Sequence, residues 1–371
     1  MSPQSRIGFP WQATPPGPLT DSLSLLTRLV SEPPDLNIIA DPVSWTTVKQ
    51  NAGRHGVAPL VAFIARPHLS PAERAWCDRV LMSSWNKHEQ SLEHLEHVLS
   101  ILGAAGIPAL ALKGPILARR YYQPAFLRKA SVDLDLAVKK ADLERACEAL
   151  AHIGYVPEPG IRETKATSHH IALLHASRPT LELHFRLSHK ALGIPVSEFL
   201  DRAVPYPLPK GGEARILSPA DEILHLVLHR ASGRFATLFH LYEVRRIWAA
   251  APLHVRKEAI RIAALHHFTG VFAMTDIAFR ARWGEPMLTP DMSLEPTWLH
   301  WRLTGSLYDE FERCSDPGRE LPLAIRLRRK WLDLQMTDHP ADALRFTADM
   351  ARIAWFQLFR KGWRTVKVGN Q

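Results

Sequence analysis

The pattern of apolar and polar residues divides the chain into three parts. Up to residue 104, apolar residues recur at helical spacing, which predicts helices near 21–30, 44–54, 55–64 and 70–102. The last of these starts with Ser70 and Pro71, an N-cap residue followed by a first-turn proline. Residues 1–19 are rich in proline and predict a flexible arm. We therefore expect a helical N-terminal region over residues 20–104.

The central part, residues 105–210, has the pattern of strands. Ile107–Leu112 is a short apolar run, and Leu127–Val138 contains an alternating segment. Two further apolar segments, His169–Ala176 and Leu181–Leu187, are joined by Ser-Arg-Pro-Thr, which is typical of an antiparallel hairpin. The polar side of the preceding long helix, which carries Glu89, Glu93, His94, Glu96 and His97, is interpreted as a solvated face.

Residues 211–371 return to helical spacing. Ser218 and Pro219 mark a helix start, with Asp221 and Glu222 in its first turn. The predicted amphipathic segments are 219–231, 237–250, 254–282, 293–313, 320–335 and 340–361. The sequence thus predicts an α+β fold with a small core between helical N-terminal and helical C-terminal regions.

Composition narrows the classes of protein to consider. Of 371 residues, 46% are apolar and 22% charged, which is sufficient for a sizeable core and argues against global disorder. The net charge of +9 favours an anionic partner such as a nucleotide, a nucleic acid or a phospholipid headgroup. The N terminus lacks a signal-peptide pattern, and no apolar run is long enough for a membrane span. The three cysteines are widely spaced, which fits a reducing compartment. We therefore expect a cytoplasmic protein without a transmembrane segment.

Two carboxylates one residue apart are the strongest candidate for chemistry. In a strand, Asp133 and Asp135 point to one face, while Val132, Leu134 and Leu136 point to the other, towards a core. Adjacent ionised carboxylates repel each other unless a cation joins them, and a hard divalent ion, Mg²⁺ or alternatively Mn²⁺, prefers such oxygen ligands. The alternative interpretation is an ordinary solvated strand face.

Two other segments carry candidate polar residues. Lys113 and Gly114 link the strand at 107–112 to a helix, and backbone N–H groups at such a turn can hold a phosphate; the alternative is an ordinary turn with a surface lysine. In the segment 181–187, Glu182 and His184 share the face opposite Leu181, Leu183 and Phe185. His184 is a candidate contact to acceptor or nucleotide, or else a partly buried, hydrogen-bonded histidine.

The C-terminal region offers weaker signals. Asp221, His225 and His229 lie on one helical stripe, but zinc would need a further ligand, so a helix that supports the core is favoured. Basic residues interleaved with aromatic ones predict either a nucleic-acid or membrane surface or a packed helix. These basic residues are Arg326, Arg328, Arg329, Lys330, Arg360, Lys361, Arg364 and Lys367.

Several of these segments together resemble a known family. The chain contains LALKGPILARRYY, LRKASVDLDLAV, LELHF, LSPADEILHLVLH and LFHLYEVRRI. These segments are similar to a bacterial family of uncharacterised nucleotidyltransferases within the superfamily related to DNA polymerase beta. The resemblance extends from about residue 44 to about 285. The family often has Tyr-Asp where this chain has Tyr242-Glu243.

The resemblance implies a fold and a set of roles. The fold is a mixed sheet flanked by helices. Asp133, Asp135 and Glu182 take the positions of the metal-binding, catalytic carboxylates. The resemblance also implies nucleotide binding by four residues that lie ahead of or close to the Asp pair: Lys113, Gly114, Arg128 and Ser131.

The function implied is Mg²⁺-dependent transfer of a nucleoside monophosphate from an NTP, with ATP as the expected donor. The acceptor is a peptide, a protein or a small molecule that the sequence does not identify. Two alternatives stay open at this point: a nucleotidyltransferase that uses RNA as acceptor, and a non-catalytic scaffold that binds a nucleotide or a partner.

Overall fold

The computed structural model describes most of the chain up to residue 292. The described residues are 22–158, 169–187, 194–232 and 237–292, with single positions at 294, 338, 341, 344, 347, 348 and 351. Apart from those positions, the predicted arm at 1–19, the predicted helices after residue 293 and all the basic residues between 326 and 367 lie outside the described residues.

The N-terminal region is helical, as its periodicity predicts. Its helices are α1 (Ser22–Leu29), α2 (Asn37–Ala40), α3 (Pro42–Ala52), α4 (Ala58–Ala65) and α5 (Pro71–Ala104). The backbone N–H of Ser70 donates to the carboxylate of Glu73 over 3.2 Å, which fixes the start of α5. Helix α5 then continues for 34 residues without a break.

One residue of α5 was wrongly assigned to the solvated face. His94 is buried and shares a hydrogen bond with the hydroxyl of Tyr155, which follows a later helix, α7 (Leu143–Ala151). Burial lowers the pKa of His94 to about 4. A helical pattern shows which residues share a face, but it does not show where a later segment packs over a polar position.

Within the described residues, a seven-stranded mixed sheet forms the centre of the fold, as expected for the α+β class. Its strands are β1 (Ala109–Ala111), β2 (Asp133–Val138), β3 (Val156–Pro157), β4 (His170–Leu174), β5 (Thr180–His184), β6 (Val204–Pro207) and β7 (Glu213–Ile216), in the order β3-β4-β5-β2-β1-β7-β6. Strand β2 pairs with β5 in parallel and with β1 in antiparallel orientation. The predicted hairpin is confirmed, since β4 and β5 are antiparallel. Strand β7 extends the sheet beyond residue 210.

Further helices connect to the sheet or follow it. They are α6 (Pro115–Tyr121), α8 (Val196–Asp201), α9 (Pro219–Ser232), α10 (Leu238–Ala250), α11 (Leu253–Leu265) and α12 (Gly270–Trp283). The helix predicted over 254–282 is in fact two helices. The Asp338 carboxylate accepts hydrogen bonds from the N–H groups of Thr269 and Gly270 at 2.7 and 3.0 Å, and so caps the start of α12. Among the helices described, none is long and apolar enough to cross a membrane.

The sheet separates two apolar cores. Leu134, Leu136 and Val138 of β2 face the core beneath α5 and α7. Leu110 and Ala137 belong to the opposite core, which the C-terminal helices α9 to α12 cover. The prediction that Val132 also faces a core is wrong: Val132 precedes the first residue of β2 and is 85% exposed. The alternation of apolar and polar residues assigns a residue to one face of the sheet only where the strand is paired.

Candidate functional site

Strands β2 and β5 bring the predicted carboxylates together. Their parallel register places Asp133 opposite Thr180, Asp135 opposite Glu182 and Ala137 opposite His184. Since alternate residues share a face, Asp133 and Asp135 lie on the same side of the sheet as Glu182 and His184. This is the side that α9 covers, and it places the carboxylates between the sheet and the C-terminal helices.

Asp135, Glu182 and His184 form a compact group. Nε2 of His184 lies 3.1 Å from Oδ1 of Asp135 and 3.3 Å from Oε2 of Glu182. One ligand atom from each of the three residues lies within 4.8 Å of the others, a spacing at which they could hold a metal ion. Asp133 stands beside this group rather than within it.

The electrostatics show how closely the carboxylates interact. Burial, followed by the negative charges of Asp135 and Glu182, raises the pKa of Asp133. Burial alone would also raise the pKa of Asp135, but Lys113 and His184 outweigh it and hold that pKa well below its usual range. The hydrogen bond from His184 lowers the pKa of Glu182. The cluster therefore holds negative charge that neighbouring cations stabilise, which is the chemistry expected of residues that fit a divalent cation.

Lys113 supplies one of those cations. Its ammonium lies 2.9 Å from Oδ1 of Asp135 and 3.3 Å from Nε2 of His229 on α9. Gly114, the next residue, has a φ of +71°, a conformation that favours glycine and turns the chain into α6. The turn thus directs Lys113 inwards, onto the carboxylates.

The two other predicted nucleotide-binding residues are placed differently. Arg128 is 3% exposed, and its Nε donates to the Glu243 carboxylate over 2.5 Å. Ser131 is half-buried and lines a groove of about 1140 Å³ with residues of α5 and with Arg178. The structure thus brings Lys113 to the carboxylates, whereas Arg128 is held by a buried acid of α10.

Helix α9 contributes residues whose roles the sequence did not indicate. His229 contacts Lys113, and the ring of His225, one helical turn earlier, lies 5.9 Å from the ring of His229. Burial, with the positive charge of Lys113, holds the pKa of both histidines well below the usual range. Neither belongs to the potential metal-binding groups of the described chain. Their spacing on one helical face was the available signal, but it did not reveal which strand they face.

Comparison with protein families places this geometry in context. A family model described as "Uncharacterised nucleotidyltransferase" matches residues 41–278, which is more than half of the chain. The match includes α3 to α11, all seven strands and every predicted site residue. Comparison with curated proteins finds none that matches the chain.

Proposed function

The chain belongs to this family of uncharacterised nucleotidyltransferases, and from that premise we propose that it transfers a nucleoside monophosphate from an NTP to an acceptor in a Mg²⁺-dependent reaction. We propose ATP as the donor and a peptide, a protein or a small molecule as the acceptor. The observation that carries the proposal is the register of β2 and β5, which sets Asp135 directly opposite Glu182 with Asp133 on the same face.

Three carboxylates are proposed to hold the cation. Asp133, Asp135 and Glu182 offer oxygen ligands, and the raised pKa of Asp133 reflects burial together with repulsion that a cation would relieve. Bound Mg²⁺ would neutralise charge on the triphosphate and make the acceptor oxygen a better nucleophile.

Asp135 and Glu182, which lie opposite each other on β2 and β5, are suited to different tasks. The side chain of Asp135 is 2% exposed, whereas that of Glu182 is 24% exposed and can meet an incoming acceptor. We assign to Glu182 the removal of the acceptor proton, directly or through water. The acceptor oxygen then attacks the α-phosphorus, a new O–P bond forms, and pyrophosphate leaves.

Lys113 is proposed to bind the leaving phosphates. Its ammonium already lies against the carboxylates, so a triphosphate seated there would lie within its reach. His229 supports Lys113 from α9, and His184 orients Asp135 and Glu182 through its hydrogen bonds. Arg128, bound to Glu243, is proposed to position the segment before β2, and Ser131 to add a hydrogen bond at the start of that strand.

The test is direct observation of transfer. Each α-labelled NTP is incubated with the protein, Mg²⁺ and candidate peptide, protein and small-molecule acceptors, and pyrophosphate and labelled product are measured. Asp133→Asn and Asp135→Asn should each abolish turnover while circular dichroism shows a folded protein. Asp201→Asn, an exposed residue at the end of α8, is the matched control and should retain turnover. Wild-type turnover in both site variants would refute the assignment of the metal ligands.

A further inference from the structure

Three imidazole rings pack together next to the carboxylates. His169 directly precedes β4, His170 is its first residue, and the register pairs His170 with His184 on β5. The ring centroids lie 4.6 Å apart for His169 and His170, 5.3 Å for His169 and His184, and 5.1 Å for His170 and His184. One nitrogen from each ring lies within 4.8 Å of the other two.

The spacing of the nitrogens is close to that of ligands on one ion. Nδ1 of His170 lies 3.3 Å from Nε2 of His169. Zinc–nitrogen bonds of about 2.0–2.1 Å place the ligands of a tetrahedral site about 3.4 Å apart. The nitrogens of His169 and His170 already have that separation, and His184 completes a set of three rings that each offer one nitrogen within 4.8 Å of the other two.

The hydrogen bonds of His184 favour ligation through its second nitrogen. Its Nε2 contacts Asp135 and Glu182, whereas its Nδ1 is buried and has no hydrogen-bond partner within the described structure. A buried ring nitrogen without a partner is costly. An imidazole that donates one N–H to a carboxylate and presents the other nitrogen to a metal is the arrangement typical of histidine ligands. Glu182 also lies 3.6 Å from Nε2 of His170, so one carboxylate approaches two of the three rings.

We propose that His169, His170 and His184 form a binding site for a borderline divalent transition-metal ion of the Zn²⁺ and Co²⁺ class. Imidazole nitrogens suit such ions, whereas Mg²⁺ prefers oxygen ligands. The site lies next to the proposed Mg²⁺ ligands but uses different donor atoms, and it does not depend on the proposed transfer reaction.

Co²⁺ is the probe for this site because its visible absorption reports on coordination. The full-length protein is stripped with a chelator and titrated with Co²⁺ in excess Mg²⁺. We expect one equivalent to give the intense absorption of a nitrogen-ligated ion with four or five ligands, and Zn²⁺ to displace it. His169→Asn and His170→Asn should each weaken Co²⁺ binding by at least about ten-fold.

Two controls separate this proposal from others. His152→Asn, an exposed position just after α7, should bind Co²⁺ like the wild type. His169 and His170 are half-buried, so both variants should fold, which circular dichroism verifies. Asp133→Asn should keep the Co²⁺ absorption even though the proposed function predicts loss of its NTP turnover.

Three outcomes would contradict the proposed metal site. They are the weak absorption of a hexa-aqua-like Co²⁺ ion, displacement of Co²⁺ by excess Mg²⁺, and an absorption that Asp133→Asn removes but His170→Asn retains. Each would show that the three imidazoles do not ligate the ion. None would affect the proposed function, since Mg²⁺-dependent turnover is measured separately.

Discussion

At the scale of single residues, Lys113 links the fold of the site to its proposed chemistry. Its ammonium pairs with Asp135 and contacts His229, so it is held in place before any nucleotide arrives. Lys113→Ala should weaken NTP binding by about 1.5–3 kcal/mol, because a charged hydrogen bond to phosphate is lost. Titration with a fluorescent NTP measures the change. Lys140→Ala, which removes an exposed lysine after β2, is the control, and equal affinity in both variants would contradict this role.

The proposed role of Glu182 as the base that removes the acceptor proton provides a test between an enzyme and a binding scaffold. Glu182→Gln retains the shape of the side chain but cannot accept the acceptor proton, so NTP binding should stay nearly intact while transfer is lost. Single-turnover assays with labelled NTP, together with a binding titration, separate the two effects. Glu148→Gln changes an exposed residue of α7 on the opposite side of the sheet, and this variant should retain both NTP binding and transfer. Normal transfer by Glu182→Gln would favour a different base.

At the scale of elements, a buried ion cluster joins the segment before β2 to helices α9 and α10. Glu243 of α10 is fully buried and is bound by Arg128 and by Arg230 of α9. Burial would raise the pKa of Glu243, but the two guanidinium groups outweigh it and lower that pKa to about 2. The cluster is therefore charged at neutral pH and ties three separate segments together.

Glu243→Gln should destabilise the protein strongly, because two buried guanidinium groups would lose their counter-charge. We expect a loss of about 3–5 kcal/mol in the free energy of unfolding at pH 7. Urea unfolding measures it. Glu258→Gln, whose partner Arg261 is exposed on α11, should change this free energy by no more than about 1 kcal/mol.

The comparison of wild type with Glu243→Gln also tests how the free energy of unfolding depends on pH. A carboxylate with a depressed pKa stabilises the fold above its ordinary pKa and loses that contribution as pH falls. For Glu243 the window runs from its ordinary pKa of 4.5 down to about 2. The difference in unfolding free energy between wild type and Glu243→Gln should therefore be constant above pH 5 and narrow below it. A difference independent of pH would indicate that Glu243 is not ionised in the folded protein.

At the scale of the whole molecule, the sheet is shared by two cores. Leu183 is fully buried in the core beneath α5 and α7, and Leu224 is fully buried in the core beneath the C-terminal helices. Since β2, β5 and β1 form a wall of both cores, loss of packing on one face should weaken the other. A third core extends this unit to the N-terminal helices, because Val61 and Tyr122 pack in one cluster with Phe239 of α10.

Leu183→Ala and Leu224→Ala should therefore lower the midpoint of the same unfolding transition. Each substitution should lower the free energy of unfolding by about 2–5 kcal/mol, the usual effect of a large-to-small change in a core. Circular dichroism and tryptophan fluorescence followed through urea unfolding should coincide for both variants. Leu253→Ala, at a position 46% exposed, is the control and should have little effect. Two separate transitions would show that the cores unfold independently.

Much of the fold follows from local signals in the sequence. Ser70 and Pro71 mark the start of α5, and the turn between β4 and β5 predicts their hairpin. Gly114 marks the turn from β1 into α6. These features depend on neighbours a few residues apart, so capping, periodicity and turn chemistry are sufficient to predict them. The alternation of β2 likewise places Asp133 and Asp135 on one face.

Contacts between distant segments were decided only by the tertiary structure. Arg128, which is predicted to bind nucleotide, is buried against Glu243, 115 positions later, and His94 contacts Tyr155. The convergence of His169, His170 and His184 likewise requires the register of β4 on β5. The sequence by itself determined which residues share a strand or helix face, because that depends on backbone geometry alone. Which faces meet depends on how the cores pack, and only the folded chain specifies those contacts.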